Sequence, residues 1–376
     1  MIVAGVMSGT SADGINVALL DVRGRRPAFE LLGHLEFPFP PAVRRAILAA
    51  MNGENARVAD LARLNFLLGH LYSGAVRAAA RKYRRRVELV GCHGQTLYHQ
   101  GEPQVFLGRR LAVTWQTGEA AVIAARVGAP VVSDFRPSDM AAGGKGAPLV
   151  PLLDYLFYRD PRVSRIAQNI GGIANFTAIP ARARPQQVIA FDTGPGNMVM
   201  DAVMELLFQR PYDRDGRIAG RGRVLDEPVQ ELLRRPFFRR PPPKTAGREE
   251  FGREFVADFL RRCGRARKED VVATATALTA HSIADAIRRF LRGRYSEFIV
   301  SGGGAQNPTL LRMLREAVKP LGLRLRLSDE FGLPGDAKEA VAFAVLAYQT
   351  WRHRTANIPA ATGALRPAIL GKISYV

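Results

Sequence analysis

The sequence predicts an α/β protein built from a duplicated unit, two domains with mixed sheets flanking a central cleft. The chain has 376 residues, more than one ordinary core accommodates. It reads twice as strand, glycine turn, strand, strand, followed by helices and further strands, once from Ile2 and again from Arg165. A hydrophobic fraction of 47% suits well-packed domains. The expected division is 1–131 plus about 353–376 for one domain and 132–352 for the other.

In the first half, Ile2 to Val6 and Ile15 to Val22 read as strands joined by the turn Met7 to Gly14. The apolar stretch Phe29 to Phe39, after a basic turn at 23–27, completes a meander. Hydroxyls and N–H groups of the first turn can surround an anion, and Asp13 can hold a metal ion through water. An ordinary polar hairpin loop has the same composition. From Pro41 to Tyr83 apolar residues recur at helical spacing, with Val58, Leu61, Leu64, Leu68, Leu71 and Ala75 on one core-facing side. Val87 to Gly91 reads as a strand running into Cys92 to Thr96, which sets His93 at a strand end, as a site candidate or a structural histidine. A helix at Gly118 to Val127 and a strand from Pro130 to Phe135 follow. Arg136 can pair two-pronged with a carboxylate or phosphate, or form a salt bridge. The glycine-rich segment Ala141 to Pro148 reads as a hinge or a ligand-facing loop.

The second half repeats this outline: strand Arg165 to Asn169, turn Ile170 to Asn175, returning strand Phe176 to Pro180, then strand Val188 to Phe191. That last strand delivers Asp192 just ahead of a helix from Met198 to Phe208. A carboxylate there can hold a proton acceptor against a ligand, and an acid capping the helix is the plainer reading. Segment 209–253, rich in Pro, Gly and Arg, reads as long loops, where Lys244 or Arg248 fits a phosphate contact and a solvated basic loop equally. Strand Glu297 to Val300 runs into Gly302-Gly303-Gly304, followed by a helix from Pro308 to Val318 and a strand at Leu323 to Leu327. Bare backbone in such a triplet lets a flat base or phosphate lie close. Gly335 to Ala340 opens a helix to about Trp351, before a Pro/Gly-rich tail.

The formal charge of +20, from 54 basic and 34 acidic residues, would suit a polyanion partner. The arginines are instead spread along the whole chain and no nucleic-acid motif accompanies them, so no nucleic acid is expected. Cys92 and Cys263 lie far apart and form no CxxC pair, which fits a reducing cytoplasm. With no uninterrupted apolar run of about 18 residues and no charged n-region, neither membrane spanning nor export is expected.

The motifs Gly5 to Gly14, His93 to Thr96, Asp134 to Arg136, Ala141 to Pro151, Asn169 to Asn175, Phe191 to Asp201, Pro242 to Lys244 with Gly247 to Glu249, Ser301 to Asn307, Asp336 to Ala344 and Asn357 to Ile373 occur in this order. Together they resemble the anhydro-N-acetylmuramic acid kinase family of the actin/hexokinase/Hsp70 superfamily. The resemblance implies a duplicated ribonuclease-H-like (actin-like ATPase) fold. It also implies an ATP- and Mg²⁺-dependent reaction that opens the anhydro bridge of 1,6-anhydro-N-acetylmuramic acid and phosphorylates O6, in cell-wall recycling by a homodimer. Carried over, Gly9, Thr10, Ser11, Ala12, Asp13, Gly14, Ile15 and Asn16 form the ATP-phosphate turn, with Asp13 toward the metal. Gly171 and Gly172 form a second phosphate loop, and Gly302, Gly303 and Gly304 the adenosine loop. Asp192 is the general base, Glu339 a supporting acid, and His93, Gln95, Thr96, Asp134 and Arg136 bind substrate. Asn16 departs from the family's usual Asp, which weakens any metal role at that position. Rival readings are a kinase of the same superfamily acting on another sugar, and a nucleotide-gated, nucleic-acid-binding protein without catalysis.

Overall fold

A computed structural model describes residues 1–24, 28–53 and 57–376, and of Arg248 the backbone alone. Most of the expected basic turn at 23–27 lies outside the described residues. The chain divides into two units, Met1–Phe157 with Ala337–Val376, and Tyr158–Asp336.

In the first unit, strands β1 (Ile2–Ser8), β2 (Gly14–Arg23) and β3 (Ala28–Pro38) form the antiparallel meander. Helices α1 (Pro41–Met51) and α2 (Val58–Lys82) follow, the first with Pro in its opening turn, where a missing N–H is harmless. Strand β4 (Leu89–Phe106) pairs parallel with β1, hairpins onto β5 (Arg109–Thr117), and leads through α3 (Ala120–Val127) to β6 (Val131–Ser133), which is parallel to β4. Glu119 caps α3 by accepting from Ala121 N, and Gly128 ends it in the left-handed region. Helices α4 (Phe135–Ala141) and α5 (Pro151–Tyr158) close this half.

The second unit opens with β7 (Arg165–Ile170), β8 (Ile173–Ile179) and β9 (Ile189–Pro195), again an antiparallel meander. Helices α6 (Met198–Phe208), α7 (Asp226–Leu232), α8 (Pro236–Arg239), α9 (Arg248–Phe251), α10 (Arg253–Cys263) and α11 (Lys268–Phe290) follow. Strand β10 (Glu297–Ser301) lies parallel to β7, and α12 (Pro308–Val318) leads to β11 (Arg324–Leu327), parallel to β10. The chain then returns to the first unit with α13 (Lys338–Trp351), α14 (Pro359–Thr362) and β12 (Lys372–Ser374), which pairs with β6.

Among the described residues the sheets run β3-β2-β1-β4-β6-β12, with β5 beside β4, and β9-β8-β7-β10-β11. With β5 and β12 set aside, which pair antiparallel with β4 and β6, each sheet counted from its own first strand reads 3-2-1-4-5, its first three strands antiparallel and its last two parallel to the first. That is the ribonuclease-H-like order twice over, as the duplicated sequence pattern predicts. The boundaries differ from expectation. Residues 132–157 and 337–352 belong to the first unit, because β6 completes the first sheet and α13 packs on β1, β4 and β2. That helix lies directly on the strands: a Cβ at Gly5 would stand 1.9 Å from Ala340 O, and one at Gly91 2.1 Å from Phe343 O.

Several local expectations change. Helical periodicity from Pro41 spans two helices, and while Leu64, Leu68 and Ala75 are buried, Val58 at the start of α2 is 84% exposed. The expected strand Val87 to Gly91 continues to Phe106, so His93 lies within β4 at a kink where Gly94 takes φ +77°. Segment 209–253 is a series of short helices rather than open loops, since Val229, Leu232, Phe237, Phe238 and Phe251 enter the core of the second unit. The Ala141 to Pro148 segment is tied down rather than hinged: Gly146 N donates to the buried Asp139, which also accepts from Asn357 and Thr362.

Candidate active site

The second unit supplies Asp192. It lies inside β9 opposite Asn175, beside a register shift in β8, and not after the strand as expected. Its backbone N–H donates to Lys244 O at 3.1 Å, and its Oδ2 accepts from Ala246 N at 2.8 Å. Burial pushes the carboxyl up to about 6, against the Ala246 N–H and the Lys244 charge, while Glu249 adds to the rise. Asp192 does not cap α6, which begins six residues later with Asn197 at its N-cap making no side-chain cap bond. Thr193 does not cap it either, since its hydroxyl donates to Ala174 O.

The turn Gly171-Gly172, between β7 and β8, is latched to the start of α6. Gly171 O accepts from Asn197 N at 2.7 Å, and Gly172 O from Gly196 N at 2.9 Å and Met198 N at 3.1 Å. A Cβ at either glycine would meet its neighbours only at ordinary contact distance, the nearest atoms being 3.7 and 3.6 Å away. The triplet behaves differently. Gly302 takes φ +85° against Asn169 and Ile170, and a Cβ on the buried Gly304 would lie 2.4 Å from Ile170. Gly303 is exposed and near Asn197. A pocket of about 620 Å³ is lined by Asn197, Met200, Asp201, Tyr212, Asp213, Gly303 and Asn307 among others. Asp201, which sequence reasoning did not single out, faces it with a carboxyl that burial pushes up to about 6.

In the first unit the turn after β1 leaves Thr10, Ser11 and Asp13 exposed, with Ala12 buried at φ +52° and its N–H bonded to Gly9 O. Buried Gln95 donates from Nε2 to Gly9 O at 3.1 Å, while its Oε1 has no partner among the described residues. Asp13 pairs with Arg44 at 3.2 Å. Gly14, Ile15 and Asn16 belong to β2: a Cβ on Gly14 would meet Phe37 O at 2.4 Å, Ile15 packs in the core, and Asn16 Oδ1 bonds His34 Nε2 at 2.9 Å.

His93 and Arg136 are brought together. Arg136 donates from Nε to His93 Nε2 at 2.9 Å and from Nη1 to Gly146 O at 2.7 Å, and His93 Nδ1 donates to Gly94 O. This network fixes the neutral imidazole, and burial with the Arg136 charge holds His93 well below its usual range. Arg136 is lowered to about 10 by burial, with Glu339 and Asp139 opposing, so it stays cationic at neutral pH. Its Nη2 has no protein partner among the described residues. Glu339 opens α13 and is reached by solvent, yet burial by the surrounding protein raises its carboxyl while Arg136 and Lys338 oppose the rise. Beside it the ion pair Lys338–Asp154, 2.7 Å and buried on both sides, fixes the start of the helix. Thr96 accepts from Gln116, and Asp134 at the start of α4 pairs with Lys372 at 3.1 Å. Asp134 and His93 share a pocket of about 680 Å³ whose lining does not include Arg136.

Two sheets of ribonuclease-H-like order, each opened by a glycine turn and furnished with an acid, define the class of actin-like ATPase folds. The chain belongs to the anhydro-N-acetylmuramic acid kinase family, whose model matches residues 1–376. Anhydro-N-acetylmuramic acid kinases of Bacillus cereus strain AH187 and Bacillus thuringiensis subsp. konkukian are each 43% identical to it over 382 residues, covering 100% of this chain and 99% of theirs. Among solved structures, an ROK hexokinase from Thermus thermophilus aligns over 94% of this chain and 100% of its own at 15% identity, with a TM-score of 0.42.

Proposed function

We propose that this kinase transfers the γ-phosphoryl group of ATP to O6 of 1,6-anhydro-N-acetylmuramic acid while water opens the anhydro bridge, giving N-acetylmuramic acid 6-phosphate and ADP in peptidoglycan recycling. The carrying observation is Asp192, a carboxylate oriented by one backbone N–H and poised near pH 6. A base must be ionised and still willing to take a proton, and this acid meets both conditions at neutral pH. Water attacks the anomeric carbon and gives its proton to Asp192, the bond from that carbon to O6 breaks, and O6 receives the phosphoryl group. Glu339 supports the sugar. The open Nη2 edge of Arg136 takes the lactyl carboxylate, with Nε and Nη1 already fixed by His93 and Gly146.

The turns at Gly9 to Asp13 and Gly171-Gly172 receive phosphates, and the Gly302 to Gly304 segment with its pocket receives adenosine. Exposed Asp13 fits Mg²⁺, which binds through one or two carboxylates with waters and phosphates, once Arg44 yields. The ion supplies neutralisation of phosphate charge. Arginines paired within the fold, such as Arg165 with Glu297 and Arg289 with Asp285, favour this reading over a nucleic-acid surface. No helix among the described residues is long and apolar enough to cross a membrane, and a cytoplasmic reaction accords with its use of ATP. Exposed Val105, Phe106, Leu107 and Trp115 on the β4–β5 hairpin favour a homodimer, whose mass light scattering reads.

The test combines protein, ATP, Mg²⁺ and the anhydro sugar and weighs the product, which must gain one water and one phosphoryl group. Asp192→Asn should lower kcat at least about 100-fold with ATP binding retained. Turnover surviving that change would place the base elsewhere. Equal phosphorylation of glucose or N-acetylglucosamine would remove the carboxylate role from Arg136.

A further inference from the structure

Lys244 was a candidate phosphate ligand on a basic loop, and its side chain does something else. The ammonium is buried, 3% exposed, and lies 4.6 Å from the ring centroid of Phe290, 4.7 Å from Phe237 and 5.6 Å from Phe191. It donates to Phe237 O at 3.0 Å, and no carboxylate forms an ion pair with it among the described residues. A buried cation is costly unless its surroundings replace water, and three ring faces with one carbonyl do so in part here. The same residue's carbonyl accepts the N–H of Asp192, and two residues further on Ala246 N–H holds the Asp192 carboxylate. One wall of the box, Phe191, is the chain neighbour of Asp192.

We propose that Lys244 is a positioning residue for Asp192: its boxed ammonium anchors the 244–246 segment whose backbone grips that acid at both its amide and its carboxylate. The proposal rests on the reading of Asp192 as the base. The anchor also carries charge toward the acid. Arg240 and Arg289 face Lys244 with the same sign, Asp285 and Asp192 with the opposite one, and Glu249 faces Asp192. Burial and the two arginines hold the Lys244 ammonium down to about 8. Asp192 works ionised, so turnover rises with pH through about 6. The lowering at Lys244 means the box favours the neutral amine over the ammonium relative to water, so the anchor outlasts deprotonation and turnover should hold through about 8.

Lys244→Met fills the same box without charge, and Lys244→Arg keeps a charge that does not titrate in this range. Four quantities are read for each: kcat and KM against pH, ATP affinity by calorimetry, and the carbon-13 titration of the Asp192 carboxyl, assigned by its loss in Asp192→Asn. For Lys244→Met the expected result is a kcat about 10- to 100-fold lower with unchanged ATP affinity. The rising limb of its pH profile and the Asp192 titration should both move up by about one unit. Lys244→Arg should return the Asp192 titration, the rising limb and much of kcat. A Lys244→Met protein with wild-type kcat, pH profile and Asp192 titration overturns the proposal. Absence of turnover in the wild-type protein instead defeats the kinase reading, and the carboxyl titration, which needs no reaction, still decides the link to Lys244.

Discussion

The two glycine turns stand at the same topological place, between the first and second strands of their sheets, and are held in shape by different means. At Gly171-Gly172 the backbone does it, through three N–H groups at the start of α6. At Gly9 to Asp13 side chains add to two backbone bonds, Ala12 N–H to Gly9 O and Phe39 N–H to Asp13 O: Gln95 sits on the Gly9 carbonyl and Arg44 on Ser11 O and Asp13. A turn held by backbone tolerates side-chain change around it, provided the partnering backbone can still approach. A turn held partly by side chains can be loosened from a distance by one substitution.

The largest effect should come from removing that approach in the second unit. A Cβ at Gly196 would stand 2.2 Å from Gly171 O, so Gly196→Ala must separate the turn from α6. ATP affinity should fall about 100-fold or more, with a lower melting temperature, the energy lost being several hydrogen bonds at ~1 kcal/mol each. Calorimetry and thermal unfolding read both, and an intact ATP affinity would show that the latch does not matter to the nucleotide. A smaller effect is expected in the first unit for Gln95→Leu. It takes one of two donors from the Gly9 carbonyl, leaving Ala12 N–H, but also removes the buried, unpartnered Oε1, so the KM for ATP should rise about 10-fold with stability nearly unchanged. A melting temperature that drops sharply would mean the side chain serves the core more than the turn. Smallest of all is Asn16→Asp. Asn16 lies in β2 turned toward His34, so half-saturation by Mg²⁺ should stay within about twofold. A marked tightening would bring that position into the metal site.

Much of the fold was legible because it is local. The helices Met198–Phe208 and Pro308–Val318 match the sequence reading at both ends, since Pro308 and the Asn307 cap mark the second start unambiguously. Both meanders were legible from apolar runs broken by glycine turns. The hairpin of β4 and β5 was not, because its exposed faces carry no core-directed alternation and Val105, Phe106 and Leu107 point outward. At the site, sequence identified Asp192 but not its grip, which comes from Ala246, 54 residues away. Lys244 read as a solvated or phosphate-bound cation because nothing local announces Phe191 and Phe290 as its neighbours. Asp139 went unnoticed for the same reason, its partners Asn357 and Thr362 arriving from the chain's far end.

The seating of α13 on Gly5 and Gly91 has a mechanical meaning. Helices usually shift over sheets by small sliding steps, as interleaved side chains swap rotamers between them. Here backbone rests on backbone, and no such yielding layer separates the helix from β1 and β4 at those points. Shear is therefore closed to this helix. Glu339 can be relocated only by carrying the first sheet along with it as one solid piece.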